Sequence, residues 1–199
     1  ISRATLAVSG LSALNKVYNA STDAVVTGAV VATPLASDTV TLTGTAAGLF
    51  SDKNVGVGKS VTLTGLSIDA TTGDGGNYVL PTAIGMTATI SQRDLTVTGT
   101  SVTSKVYDTT TTATVTGGSL AGVQGADALV LTQSGSFADK GVGSGKSVTI
   151  QDSIAGVDQA NYNLIQPTGI TGNITPATLV VNGLTANSKT MTAPPPLAL

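Results

Sequence analysis

Along much of this chain apolar residues alternate with threonine or serine, the two-residue period of a half-buried strand. The pattern appears in Leu6-Ala7-Val8-Ser9, in Val40-Thr41-Leu42-Thr43 and in Val61-Thr62-Leu63-Thr64. It returns in Leu95-Thr96-Val97-Thr98 and Val148-Thr149-Ile150. Met86 to Ile90 and Gly169 to Ile174 read as further strands that close each half. Thr and Val are β-branched and suit strands, while clusters of Gly, Asn and Asp break the runs at short intervals. No stretch carries a long 3.6-residue period. The segment Gly118 to Asp127, rich in Ala and Gly, is the least patterned and reads as a loop or one short helix. The expectation is a mostly-β protein.

The strands belong to a repeat. All six aromatic residues fall in matched pairs: Tyr18 with Tyr107, Phe50 with Phe137, and Tyr78 with Tyr162. Their offsets are 89, 87 and 84 residues, shrinking in order as two copies separated by small loop deletions would give. This divides the chain into one copy over 1–92, a second over 93–176, and the start of a truncated third plus a tail over 177–199. The third begins with Ala177 to Gly183, carries Lys189 and ends in a proline-rich tail. Thr89 to Leu95 passes almost directly from one copy into the next, which predicts similar small β domains, sandwich-like and stacked end to end with little hinge freedom. A β-grasp-like sheet with one short helix over Gly118 to Asp127 is the alternative.

Composition narrows the chemistry. Charged residues make up only 10% of the chain and Glu is absent, so hydroxyl groups must keep much of the surface wet. At 41% hydrophobic with a clear period, the chain is not a disordered one. A formal charge of −2 offers no basic patch for nucleic acid. Without Cys there is no disulfide framework, and without His the usual general base and commonest metal ligand are missing. No apolar run is long enough for a membrane-spanning helix. No basic-then-apolar leader opens the chain, so an export signal would lie outside this sequence.

All seven lysines recur at equivalent places: Lys16, Lys105 and Lys189; Lys53 and Lys140; Lys59 and Lys146. Lys53 and Lys59 flank a turn expected at Gly56-Val57-Gly58, and Lys140 and Lys146 flank Gly141 to Gly145. Cations at loop rims and sheet edges discourage edge-to-edge aggregation. A sharper reading is an isopeptide bond from Lys16 or Lys105 to Asn77 or Asn161, which needs a buried neutral lysine and a protonated acid. Asp69 to Asn77 has the look of an Asp/Gly calcium loop, but the second copy offers only Asp152, Asp158 and Asn161, and a turn explains both. Gly58-Lys59-Ser60 and Gly145-Lys146-Ser147 end as phosphate loops do, yet lack the first glycine and precede strands. Serine-based triads fail for want of a base. The reading is of no catalytic, metal or cofactor residues, with the tyrosines and phenylalanines as core.

The recurring set is Lys16, Tyr18, Phe50, Asp52, Lys53, Asn77 and Tyr78 in the first copy. In the second it is Lys105, Tyr107, Asp108, Phe137, Asp139, Lys140, Asn161 and Tyr162. Together with Ile174-Thr175-Pro176-Ala177, these motifs resemble the YDG-type repeat modules of large secreted bacterial adhesins of the filamentous-haemagglutinin kind. Those modules follow Tyr-Asp with Gly; here Thr109 takes that place, and the first copy reads Tyr18-Asn19-Ala20. The resemblance implies a surface-exposed or secreted, non-enzymatic stalk that projects an adhesive region in cell adhesion or biofilm growth. It implies no cofactor, and its partners would be the neighbouring repeats of the same chain, with host or matrix glycan or protein engaged by other regions. The fragment itself is expected to be monomeric. A repeat that itself grips a glycan or host protein is the alternative, and aromatic side chains on an open face would favour it.

Overall fold

The computed structural model describes residues 1–81 and 84–192. Its described residues are nearly all strand and turn; the only helical elements are two single 3-10 turns, Gly75–Asn77 and Gln159–Asn161. Each copy builds a five-stranded sheet of the same order. In the first copy the order is Lys16–Val17, Thr87–Ser91, Gly56–Ile68, Leu42–Phe50, Asp23–Ala24. In the second it is Lys105–Val106, Thr171–Thr175, Gly143–Ile150, Gly135–Phe137, Thr112–Ala113. Only the first pair in each sheet is parallel.

The alternation seen in sequence sets the inward face. Val61 and Leu63, Ala88 and Ile90, Val148 and Ile150 are buried, and the residues between them are largely exposed. A smaller group of strands completes a sandwich-like layer in each copy. In the second copy Arg93–Thr98 pairs in parallel with Tyr162–Ile165 and antiparallel with Ser119–Ala121. In the first, Ala4–Thr5 runs parallel to Tyr78–Val79 and Ala7–Ser9 antiparallel to Val31–Thr33.

Three sequence expectations change. Gly118 to Asp127 holds no helix: Ser119–Ala121 is a strand, and a turn follows in which Asp127 N–H donates to the Gln124 carbonyl at 3.1 Å. Gly122 and Gly125 take φ of +104° and +56°, a conformation no helix tolerates. The β-grasp-like alternative therefore loses its helix. Gly56-Val57-Gly58 is not the hairpin turn, because the reversal occurs at 51–55 and the glycines lie within a strand. There Gly58 (φ +63°) and its equivalent Gly145 (φ +61°) sit beside register shifts, as glycines do at β-bulges. Third, the opening strand expected from Ala177 is not formed. Arg93–Thr98 is held on both edges by strands of its own copy, whereas residues 177–192 pair with nothing, and Leu179 and Val181 remain exposed. The prolines of the tail lie outside the described residues.

Between the two copies the chain leaves strand Thr87–Ser91 and, after Gln92 alone, enters strand Arg93–Thr98. The Gln92 side chain donates to the carbonyls of Ala160 (3.0 Å) and Tyr162 (3.2 Å), so the link is itself pinned to the second copy. The apolar cores follow the same route. One cluster contains Tyr18, Phe50, Val61, Leu63 and Ile90 of the first copy together with Leu95 and Tyr162 of the second. The rest of the second copy packs separately around Phe137, Val148, Ile150 and Ile174. The largest buried cluster thus crosses the boundary that the repeat defines.

Candidate functional site: the junction between copies

The densest polar constellation lies where the copies meet. Asp127, whose side chain is 2% exposed, is its centre. Its Oδ2 accepts the hydroxyls of Tyr18 at 2.7 Å and Tyr162 at 2.8 Å, and its Oδ1 lies 2.6 Å from Lys53 Nζ. Lys53 also reaches Asp158 at 3.0 Å. The Tyr18 and Tyr162 rings meet edge to face, 5.4 Å between centroids, and Lys53 Nζ stands 5.8 Å from the centre of the Tyr18 ring. Beside them Val55 N–H donates to Asn161 Oδ1 (2.9 Å), and Asn161 Nδ2 donates to Asn54 Oδ1 (3.2 Å). Tyr18, Lys53, Asn54 and Val55 come from the first copy; Asp127, Asp158, Asn161 and Tyr162 come from the second.

Local structure explains how each side chain arrives. Tyr18 follows the short strand Lys16–Val17, and Lys53 lies on the hairpin loop after Phe50. Asp158 and Asn161 bracket the 3-10 turn Gln159–Asn161, and Asp127 is presented by the turn that replaces the expected helix. Burial pushes the Asp127 carboxyl up, but the hydrogen bonds from Lys53, Tyr18 and Tyr162 outweigh it and hold the group below its ordinary value. Lys53 is held well above its usual value by Asp127, then Asp158 and Tyr18. Burial pushes Tyr162 up to about 12 and raises Tyr18 as well. At neutral pH the knot therefore holds an ammonium, a buried carboxylate and two neutral phenols, with every group partnered.

Of the lysines read as loop-rim cations Lys140 is exposed, whereas Lys59 and Lys146 are held against their own copies, as are Lys16 and Lys105. Lys16 Nζ donates to the carbonyls of Ser21 (2.7 Å) and Asp23 (2.9 Å) and lies 5.2 Å from the centre of the Phe50 ring. Burial lowers its pKa, partly offset by Asp23. Lys105 repeats the arrangement with the carbonyls of Thr110 and Thr112, both at 3.0 Å, and the Phe137 ring at 5.8 Å. Each of these ammonium groups staples the loop that follows its tyrosine. Neither donates to Asn77 or Asn161, so the isopeptide pairs are not assembled. Lys59 pairs with Asp52 at 2.7 Å and Lys146 with Asp139 at 2.5 Å. Their side chains are only 11% and 14% exposed, because they fold back over their hairpins. Asp52 and Asp139 are lowered by these lysines and by the N–H groups of Asn54 and Gly141.

The loop after each signature tyrosine survives without glycine. Ala20 and Thr109 adopt φ of +61° and +70°, a region costly for side chains with a Cβ. In the second copy Asp108 Oδ1 accepts the Thr110 N–H at 2.9 Å, and in the first Asn19 Oδ1 accepts the Ser21 N–H at 3.2 Å. Lys105, then the Thr110 amide and hydroxyl, hold Asp108 down to about 2. The stretch from Asp69 forms a turn: Asp69 accepts from the Thr71 amide and the hydroxyls of Thr71 and Thr72. Of its counterparts, Asp158 and Asn161 instead face Lys53 and Asn54, and Asp152 accepts from the Ser134 amide.

The structure thus brings together Tyr18, Lys53, Asn161 and Tyr162 from the recurring set, and does not bring Tyr107, Lys140, Asn77 or Tyr78 to that place. Sequence reading missed Asp127 altogether. A signal was available, since Asp38 and Asp127 share the 89-residue offset of the first tyrosine pair. Among curated proteins and solved structures nothing matches the chain. A family model, the YDG domain, matches it twice, over residues 2–85 and 91–171. With two matches that take in most of its length, the chain belongs to the YDG domain family as a tandem pair.

Proposed function

We propose that this chain is a length of non-enzymatic spacer, a stalk segment of a secreted or cell-surface bacterial adhesin whose adhesive region lies elsewhere. The observation that carries the reading is the apolar core continuous from Phe50 and Tyr18 into Leu95 and Tyr162, closed by the Lys53–Asp127 knot. Domains in one chain move relative to one another unless their interface is large and apolar. A one-residue link under a shared core removes most of that freedom, which is what a module that must transmit length requires. The boundaries of the units fit this role as 1–92 and 93–176. The open aromatic face that a glycan-binding repeat would use is not where the best-buried tyrosines lie, because Tyr18 and Tyr162 are spent on each other. Small-angle scattering of the whole chain tests the reading: the expected profile is that of two modules in line at fixed separation. A compact particle, or one whose modules tumble freely about Gln92, would overturn it.

A further inference from the structure

The first copy carries a second face built like the one that receives Lys53. Asp38 stands where Asp127 does, Asp74 where Asp158 does, and Asn77 and Tyr78 where Asn161 and Tyr162 do. The local geometry is repeated as well. Tyr78 donates its hydroxyl to Asp38 Oδ2 at 2.8 Å and accepts the Leu35 N–H at 2.8 Å, as Tyr162 does with Asp127 and with Gln124 N–H at 2.9 Å. Gly75–Asn77 forms the same 3-10 turn after Asp74 that Gln159–Asn161 forms after Asp158. What lies against the two faces differs. Asn161 is 3% exposed, whereas Asn77 is exposed to solvent. A cavity of about 460 Å³, lined by Leu35, Asp38, Asn77 and Tyr78, opens over the first copy's face. These are the counterparts of the residues that Tyr18, Lys53 and their loop cover at the junction. Asp74 gives one oxygen to the Thr39 amide at 3.0 Å and has another for a cation.

The far end of the second copy carries the complement. Tyr107, the counterpart of the fully buried Tyr18, is only partly buried, at the edge of the Phe137 core. Lys140, the counterpart of Lys53, is exposed and makes no ion pair among the described residues. One end is thus concave and carries the Asp38 and Asp74 carboxylates, with Arg3 also on the cavity wall; the other bears a lysine and a tyrosine at the positions that fill such a face. We propose that these are the two halves of one joint: the Asp38–Asp74–Tyr78 face receives the tyrosine–lysine end of another YDG module, and Tyr107 and Lys140 dock into the matching face of a further one. This rests on the spacer reading and adds its rule of assembly. The joint has a direction, since two acidic faces or two lysine ends repel, and a heterologous contact of this kind propagates head to tail. Three positions depart from the natural junction. Gly141 at the place of Asn54 withholds a carboxamide contact. Thr109 at the place of Ala20 and Ala36 at that of Gly125 crowd the point where the copies approach closely, and require a small shift there. The charge and ring contacts remain.

The test joins two copies of the chain, residues 1–173 followed by the complete 1–199. Ile1-Ser2 then stands in the register of Ile174-Thr175 and Ile90-Ser91, each isoleucine five residues before a leucine. Because the chain has no cysteine, Gly141→Cys in the leading copy and Asn77→Cys in the following one give a unique thiol pair across the new joint. A short bis-maleimide should link them at a rate close to that of Asn54→Cys with Asn161→Cys across a natural junction of the same tandem, which also reports that the tandem folds. Lys140→Ala in the leading copy should slow the new link about tenfold, equivalent to roughly 1.4 kcal/mol of docking. A rate no higher than that of the exposed pair Val130→Cys and Asn77→Cys, or indifference to Lys140→Ala, would overturn the joint. Scattering separates the two ideas. A straight tandem that links only at the background rate sinks the joint and leaves the spacer, whereas a folded-back tandem sinks the spacer, and the joint stands only if the pair still links.

Discussion

The same residues stand at the junction and at the two open ends, and they behave differently there. Tyr18 is fully buried and Tyr107 only partly so; Lys53 is shared by two carboxylates and Lys140 by none among the described residues; Asn161 is buried and Asn77 is not. Sequence identity at equivalent positions therefore does not fix environment: neighbouring copy does. Lys16 and Lys105, by contrast, keep the same carbonyl acceptors in both copies, as do the pairs Asp52–Lys59 and Asp139–Lys146 their ion contacts. The recurring set thus divides in two. Part of it holds a copy together, and part is exposed until another copy covers it.

The largest expected departure between equivalent positions is at the first tyrosine. Tyr18→Ala should cost about 3–5 kcal/mol, the range for removing a buried aromatic, because it empties the core shared by both copies. Tyr107→Ala removes a ring that is only partly buried and should cost less, about 1–2 kcal/mol. Urea unfolding of the two variants measures the difference, and equal losses would dissolve the distinction between junction and open end. Asp127→Ala comes next. It strips Lys53, Tyr18 and Tyr162 of their common acceptor, and with Lys53 partly solvated the expected loss is about 2–4 kcal/mol. Asp38→Ala releases one tyrosine hydroxyl and no cation, so about 1 kcal/mol is expected.

Much of this partition could be read in the sequence. The two-residue alternation placed Val61, Leu63, Val148 and Ile150 on one face of long strands, and the paired aromatics gave the duplication and the direct passage through Gln92. Alternation reports that a face is buried, but not against what. Tyr18 and Tyr107 look alike in sequence because their difference lies in a partner 109 residues from Tyr18, Asp127. The lysines misled for a related reason. In a chain so poor in charge, a cation beside a glycine-rich stretch reads as a wet loop rim, whereas the bulge at Gly58 turns the strand so that Lys59 folds onto Asp52. Gly118 to Asp127 was ambiguous because Ala and Gly say little about local form until the positive φ values of Gly122 and Gly125 are known.

Alkali should distinguish junction from copy more sharply than acid, because lowered carboxylates lie both within the copies and, as Asp127, at the junction. Tyr162 is raised to about 12 from an ordinary 10, so its neutral form stabilises the fold fully below about pH 10, and that contribution is lost as pH rises toward 12. Tyr18, also raised, and Lys53, whose charged form is favoured, act in the same direction. About 2 kcal/mol of stability should disappear over this window, most of it from the junction, with a smaller part from Tyr78, which burial also raises. The lowered carboxylates work the other way: their contribution is present above about pH 4 and lost as pH falls toward 2. Asp52 and Asp139 are equivalents, so acid weakens both copies together, and protonation of the lowered Asp127 weakens the junction with them. With no histidine in the chain, stability should be flat between these limits. Amide exchange at Val55 and Gln124, compared with that at Leu35 between pH 7 and 11, reads the result. Leu35 exchanging as early as Val55 would mean that the junction has no special sensitivity.

The smallest effect tests the comparison from within the loop that both copies share. Thr109 holds φ of +70° in an exposed position, so Thr109→Gly removes the clash of its Cβ at the cost of greater freedom in the unfolded chain. The first term is about 1–2 kcal/mol and the second about 0.5–1, which predicts a net gain of roughly 0.5–1 kcal/mol. Ala20→Gly relieves the same kind of strain at φ +61°, but Ala20 is packed against the shared core, and its methyl faces Gly125 of the second copy. A Cβ built on Gly125 would come within 3.2 Å of that methyl, a measure of how closely the copies approach there. Losing the methyl gives back about as much as relieving the strain gains, near 0.8 kcal/mol for one buried carbon. Thr109→Gly should therefore raise the unfolding midpoint while Ala20→Gly leaves it nearly unchanged. Equal gains would mean that the loop after the tyrosine senses only its own backbone, and that the junction reaches no further than Tyr18.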